Sequence, residues 1–247
     1  MEFWSSLLIV ITFVTIHITL PYWSVLKGRH SHTLLSICSG TALAYVFTYL
    51  MPKLALVQTK VTLGLDEAFP VLYGHYVYLL ALAGFLTFFA LDQKIDHLQH
   101  SEGGPAPLKK ALALQIVGYG IYSAQIGYLT TIANDPNIQS YIAASLIIGL
   151  HVVGVNHFIF HQNPAIFKST LRWVYAGSTI VGWALGTFIS SLEVPALLLN
   201  AFIAGGIIIT AIRDELPGRS DKKPRVFYLS VIFGCLAILA VKHWQLS

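Results

Sequence analysis

The 247 residues are 55% apolar and only 11% charged, where soluble domains run near a quarter charged. This composition excludes an ordinary soluble enzyme and predicts an integral membrane protein. The formal net charge is +4, but the basic residues fall between apolar runs, which is a signature of membrane orientation and excludes a nucleic-acid face. The two cysteines, Cys38 and Cys235, lie inside apolar runs, so neither a disulfide framework nor a CxxC metal pair is available.

A helix needs roughly 20 mostly apolar residues to cross the hydrocarbon core. Eight segments qualify: 3–25, 33–51, 73–92, 108–132, 140–161, 168–190, 194–213 and 225–243. The breaks carry Pro, Gly or charge at Lys27-Gly28-Arg29, Met51-Pro52-Lys53, Gly103-Gly104-Pro105, Asp135-Pro136, Asn163-Pro164 and Leu216-Pro217-Gly218. The start, Met-Glu-Phe-Trp, has no basic n-region, so the first segment reads as a retained helix. The expected fold is an all-α polytopic membrane protein, residues 1–247 forming one transmembrane domain.

Twelve of the fifteen Lys and Arg residues fall after segments one, three, five and seven: Lys27, Arg29, Lys94, Lys109, Lys110, Lys168, Arg172, Arg213, Arg219, Lys222, Lys223 and Arg225. Lys53, Lys60 and Lys242 take the other side. Both termini are therefore expected outside the cytoplasm, in a plasma or inner membrane. A weak internal repeat relates Gly40 to Pro52 in segment two and Gly205 to Pro217 in segment seven, each proline twelve positions after its glycine. The two segments run in opposite directions. Segments one to three and six to eight are thus expected to be inverted repeats around a central pair, four and five, an arrangement used by transporters.

Ionisable groups at bilayer depth are costly, so each is a functional candidate. His17 stands in segment one, and His151 and His157 in segment five. No Asp or Glu falls at a segment centre; Asp92, Asp214 and Glu215 fall at cytoplasmic ends, within reach of water. Segment four carries Gln115, Tyr119, Tyr122 and Ser123 along one helical face, with Gly118, Gly120 and Gly127 permitting close approach. Segment five, packed beside it, places His151 at its midpoint, where a hydroxyl of Tyr119 or Tyr122 could bond the imidazole. Asn156 follows five positions on and does not share that face. His157 and His161, four apart, form a candidate pair for a divalent ion at the cytoplasmic end. In the loop after segment three, His97, His100 and Glu102 could hold an ion transiently; His30 and His32 stand in the first cytoplasmic loop.

Several motifs resemble the Zrt/Irt-like (ZIP) family of divalent metal transporters. They are Ser39-Gly40 through Leu50-Met51-Pro52, Gly84-Phe85-Leu86 followed by Asp92 and a His-containing loop, Ala201-Phe202-Ile203-Ala204-Gly205 through Asp214-Glu215-Leu216-Pro217, and Gly234. The resemblance implies eight helices, a metal (zinc-type) site on helices four and five, and a homodimer, for which Gly177, Gly182 and Gly186 offer a small-residue face. The family's His-Asn-x-x-Asp on helix four falls here on Gly118, Tyr119 and Tyr122. Its His-Glu-x-x-His/Glu on helix five falls on His151, Val152 and Val155 or Asn156. Only His151 keeps a ligand, with Asn156 a neutral stand-in. Zinc sites are built from Cys, His and carboxylate, so divalent binding is expected to be weak, with no resident cofactor.

Two readings follow: a ZIP-like transporter with an altered site, and a non-transporting ZIP-like binding, scaffold or regulatory protein. An intramembrane enzyme lacks support, having neither an HExxH pair nor a Ser or Asp dyad at a helix centre. A continuous vestibule reaching His151 would favour transport. Tyr119 and Tyr122 packed on His151 without a cavity would favour the second reading.

Overall fold

A computed structural model of the chain describes residues 2–27, 31–65, 74–101, 105–132, 138–189, 193–213 and 224–246. His30, Glu102, Asp214, Glu215 and Pro217 lie outside the described residues, as do the side chains of Lys27 and His32. Among the described residues, eight helical stretches follow one another. α1 is Glu2–Thr19, continued by 3₁₀ turns at Leu20–Tyr22 and Ser24–Lys27; α2 runs through Ser31–Tyr45, a π-helical turn at Val46–Leu50, and Met51–Leu65. α3 is Tyr76–Gln99, α4 Pro105–Ile132 and α5 Ile138–Gln162. α6 runs through Pro164–Ile166, a π-helical turn at Phe167–Leu171, and Arg172–Phe188; α7 is Glu193–Arg213 and α8 Pro224–Leu246. Three stretches, Phe3–Tyr22, Thr33–Thr59 and Tyr76–Gln99, are long and apolar enough to cross a bilayer.

Three boundaries differ from expectation. The second helix does not stop at Met51-Pro52. A proline removes one N–H and crowds the carbonyl four residues back. Here the π turn just before it widens the ladder, with the Met51 N–H donating to the Val46 carbonyl. The helix passes through Pro52 and absorbs much of the expected outer loop. The third helix continues seven residues past Asp92, because Leu91, Ile95 and Leu98 prolong its apolar spacing. His97 and His100 therefore belong to a helix end and its cap rather than to a loop. The sixth helix begins at Pro164, a first-turn position where proline's missing N–H has no helical partner to lose.

The helices sort into two groups by packing. α1, α4 and α6 lie together, as do α2, α3, α7 and α8; α5 lies between them against α2 and α1, and α3 against α4 also joins the two groups. The most extensive contact is α4 on α6, followed by α3 on α7 and α2 on α8. Glycines permit these approaches. A Cβ on Gly182 would stand 1.7 Å from the Ala124 carbonyl oxygen, and one on Gly127 2.0 Å from that of Thr179. Gly84 meets the Phe202 backbone and Gly205 the Ala81 backbone at the α3–α7 crossing; Gly40 meets Ser230, and Gly234 meets Ala44, at the α2–α8 crossing.

Two expectations are corrected here. Segments four and five do not pack closely side by side: α4 lies on α6, and α5 has its main contact with α2. Gly182 and Gly186, expected on a dimer face, are consumed by α4 within the chain; of the three, only Gly177 has open space.

Polarity is inverted relative to a soluble protein. Leu8, Leu56, Phe188 and Phe233 are 67%, 66%, 74% and 71% exposed. His17, Ser39, Gln115, Asn156, Thr179 and Thr210 are buried. On α8 the exposed apolar residues Tyr228, Leu229, Ile232, Phe233, Leu236 and Leu239 follow helical spacing.

The crossings predict a contrast. Gly182→Ala should destabilise the detergent-solubilised protein by about 1–3 kcal/mol, since the methyl group must displace backbone. Gly177→Ala should be neutral or stabilising by up to about 1 kcal/mol. Equal thermal unfolding of the two variants would contradict the crossing.

Candidate functional site

The α4 stripe faces inward as its spacing requires: Gln115, Tyr119, Tyr122 and Ser123 are all buried. Successive helical residues turn by about 100°. Tyr119 and Tyr122, three apart, therefore point about 60° from one another and reach different neighbours. The Tyr119 hydroxyl donates to Asp92 Oδ1 on α3 at 2.6 Å. The Tyr122 hydroxyl shares a 2.5 Å hydrogen bond with His151 Nε2 on α5. Of the two tyrosines available to His151, it is Tyr122 that bonds it. Thr210 on α7 stands behind this pair, 3.4 Å from the Tyr122 oxygen and 3.5 Å from His151 Nε2. Its own hydroxyl proton is directed to carbonyls of its helix, Gly206 at 2.9 Å and Ile207 at 3.1 Å.

Asn156 is turned about 140° from His151 around α5, as five residues demand, and belongs to a different cluster. It meets His17 of α1, its amide nitrogen 2.9 Å and its oxygen 3.1 Å from Nδ1. His17 Nε2 is 3.2 Å from the Thr179 hydroxyl on α6. Thr179 donates its proton to the Tyr175 carbonyl at 2.9 Å, so it accepts from His17. A proton on His17 Nε2, with the Asn156 amide N–H donating to Nδ1, satisfies both ring nitrogens of His17. Gln115 lies further along α4, where its side-chain amide donates to Gln162 Oε1 at 3.3 Å and its backbone carbonyl accepts from the Tyr175 hydroxyl at 3.4 Å.

Between the clusters is a cavity of about 10 Å³, bordered by His17, Tyr119, Tyr122, Ser123, Asn156 and Tyr175. That is about the room of one water molecule. His151 is not part of its wall.

The remaining candidates stand apart. His157 and His161 have near-parallel rings, centroids 6.0 Å apart and planes at 11°; His157 is half-buried and His161 exposed. His97 and His100 are exposed, and His100 Nδ1 lies 2.9 Å from the Asp96 carbonyl. Among the described residues, no group of three or more His, Cys, Asp or Glu side chains gathers closely enough to hold a metal ion. A zinc ion would have to take His151 from Tyr122, and Asn156 faces away.

Sequence reasoning misplaced one group and left others out of the site. Asp92, assigned to a water-accessible end, is 6% exposed and is the only acidic side chain buried among the described residues. The missed signal was Ile95 and Leu98, which carry the helix past it. His17 was noted as an isolated intramembrane imidazole, but its partners on α5 and α6 are 139 and 162 positions away. Thr179 and Thr210 carried no signal beyond being hydroxyls in apolar runs.

Interhelical hydrogen bonds in bilayers contribute about 0.6 kcal/mol on average and at most about 1.7. A double-mutant cycle of Tyr119→Phe with Asp92→Ala, each of which removes the hydrogen bond, should fall at the upper end of that range, since the acceptor is a carboxyl group. Unfolding equilibria in mixed micelles give the coupling; strict additivity would remove the pair. Comparison of the chain with protein-family models, with curated proteins and with solved structures gives no match.

Proposed function

We propose that the chain is an eight-span integral membrane protein of ZIP-like architecture in which the position of a divalent-metal site is closed by the chain's own side chains. It serves as a non-transporting binding, scaffold or regulatory component rather than as a carrier of divalent metal. One observation carries this reading: the Tyr122 hydroxyl occupies Nε2 of His151, the one side chain that the resemblance leaves as a ligand at the site.

The apolar exterior and polar interior support placement in a bilayer, where polar side chains must be satisfied from within. The helix pairing supports the inverted-repeat expectation. If α1, α2 and α3 correspond to α6, α7 and α8, the α3–α7 contact maps onto α8–α2. Gly40 of α2 sits at the crossing with α8, and Gly205 of α7 at the crossing with α3. These two glycines head the repeated Gly-to-Pro intervals. Orientation with both termini outside the cytoplasm follows from the basic residues alone.

Buried Asp92 favours a second reading, a transporter with an altered site, because it brings a carboxyl group to the depth of Tyr119. Uptake separates the two. Proteoliposomes holding the protein should accumulate zinc, manganese, iron and cobalt no faster than protein-free vesicles, and His151→Ala should change nothing. Uptake above that background that falls at least tenfold in His151→Ala would establish the transporter reading instead.

A further inference from the structure

Arg172, near the start of α6, is held in an unusual way. Its guanidinium carbon lies 4.9 Å from the centre of the Trp173 ring and 5.5 Å from that of Tyr22. One terminal nitrogen donates to the Tyr22 hydroxyl at 2.8 Å and reaches the Ile18 carbonyl at 3.5 Å. Among the described residues its buried Nε has no hydrogen-bond partner. Guanidinium presents five N–H donors, so this one is oriented by two aromatic faces and two oxygens through one terminal nitrogen, which leaves the other terminal nitrogen, and not the buried Nε, to meet an outside acceptor.

The surroundings indicate what takes those donors. Tyr22 ends the first apolar stretch, Phe3–Tyr22, so Arg172 stands at the edge of the apolar zone. Tyr22 and Trp173 are 62% and 52% exposed, and half-buried Trp23 donates its indole N–H to Thr19 at 3.0 Å. Aromatic side chains with one polar end collect at the depth of lipid headgroups. Lys168, one turn before Arg172, is exposed, with its ammonium 5.8 Å from the Phe160 ring. A fixed guanidinium, with an ammonium four residues earlier on the same helix, at headgroup depth matches a phosphate with net negative charge.

We propose that Arg172 and Lys168 form a seat for the headgroup of an anionic phospholipid, with Arg172 binding the phosphate and Lys168 adding charge. The inference rests on placement of these helices in a bilayer. It is tested with detergent-solubilised full-length protein titrated separately with phosphatidylglycerol, phosphatidylcholine and inorganic phosphate, with thermal unfolding as readout. Phosphatidylglycerol should raise Tm by on the order of 5 °C at saturation, and phosphatidylcholine should raise it by less than half as much. Arg172→Gln should abolish the difference between the two lipids, and Lys168→Gln should reduce it. An equal effect of both lipids, the full effect from inorganic phosphate alone, or an unchanged difference in Arg172→Gln would each overturn the seat. If Arg172→Gln does not fold, an unchanged difference in Lys168→Gln overturns it. Recovery of the chain in the soluble fraction without detergent would instead refute the bilayer placement.

Discussion

A helix bundle with an apolar exterior must satisfy its polar side chains from inside. Water is remote, and each unsatisfied group costs free energy that the surrounding apolar contacts cannot return. Three buried ionisable groups show how the bundle meets this constraint. His17 is matched by Asn156 and Thr179, His151 by Tyr122, and Asp92 by Tyr119. Each match joins different helices, so the partners fix which helix faces which. Glycine sets the separations: at Gly182 and Gly127 the α4 and α6 backbones come within contact, and no larger residue would leave the facing carbonyl in place.

The two constraints divide the work. Glycine crossings hold α4 on α6, α3 on α7 and α2 on α8 by backbone proximity. Polar pairs span the wider gaps, where backbones remain apart. Asp92 with Tyr119 links α3 to α4, and Tyr122 with Thr210 links α4 to α7. Both run between the two helix groups. The larger apolar cluster also runs between them, including Phe13 and Ile126 from one group and Val46 and Ile203 from the other. The groups therefore share a core, with the polar pairs specifying register within it.

Much of this was legible in the sequence because it is local. Apolar run length located all eight helices, and three-to-four spacing placed Gln115, Tyr119, Tyr122 and Ser123 on the buried face of α4. The five-residue interval correctly separated His151 from Asn156. What escaped was of two kinds. Helix ends were misread where a proline at position 52 looked like a stop, and where charge at Asp92 looked like an end. In the first case a π turn accommodates the ring; in the second the apolar period continues beyond the charge. Helix neighbours were misread because adjacency in sequence suggested that α4 should lie along α5. Glycine spacing on α6 decided otherwise, and glycines alone do not say which helix they will meet. The same ambiguity assigned Gly182 and Gly186 to a second copy of the chain when α4 takes them.

The wide separation of α4 and α5 bears directly on the proposed function. A metal between two helices needs short ligands around open space, since bonds to zinc are only about 2.0–2.3 Å long. The ZIP pattern would put such ligands at the positions of Gly118, Tyr119 and Tyr122. Here the phenol rings cross that space themselves: the Tyr119 and Tyr122 rings are 6.5 Å apart at an angle of 77°, and Tyr122 meets the His151 ring edge-on at 6.1 Å. The volume left over, about 10 Å³, lies on the Asn156 side and away from His151. Tyr122 supplies both bulk that fills the space and a hydroxyl for His151. The Tyr119 hydroxyl likewise covers the buried carboxyl group of Asp92 on α3. Two tyrosines one turn apart on α4 thus satisfy both the imidazole of α5 and the acid of α3, which is why the space between these helices is filled by rings and not by open volume.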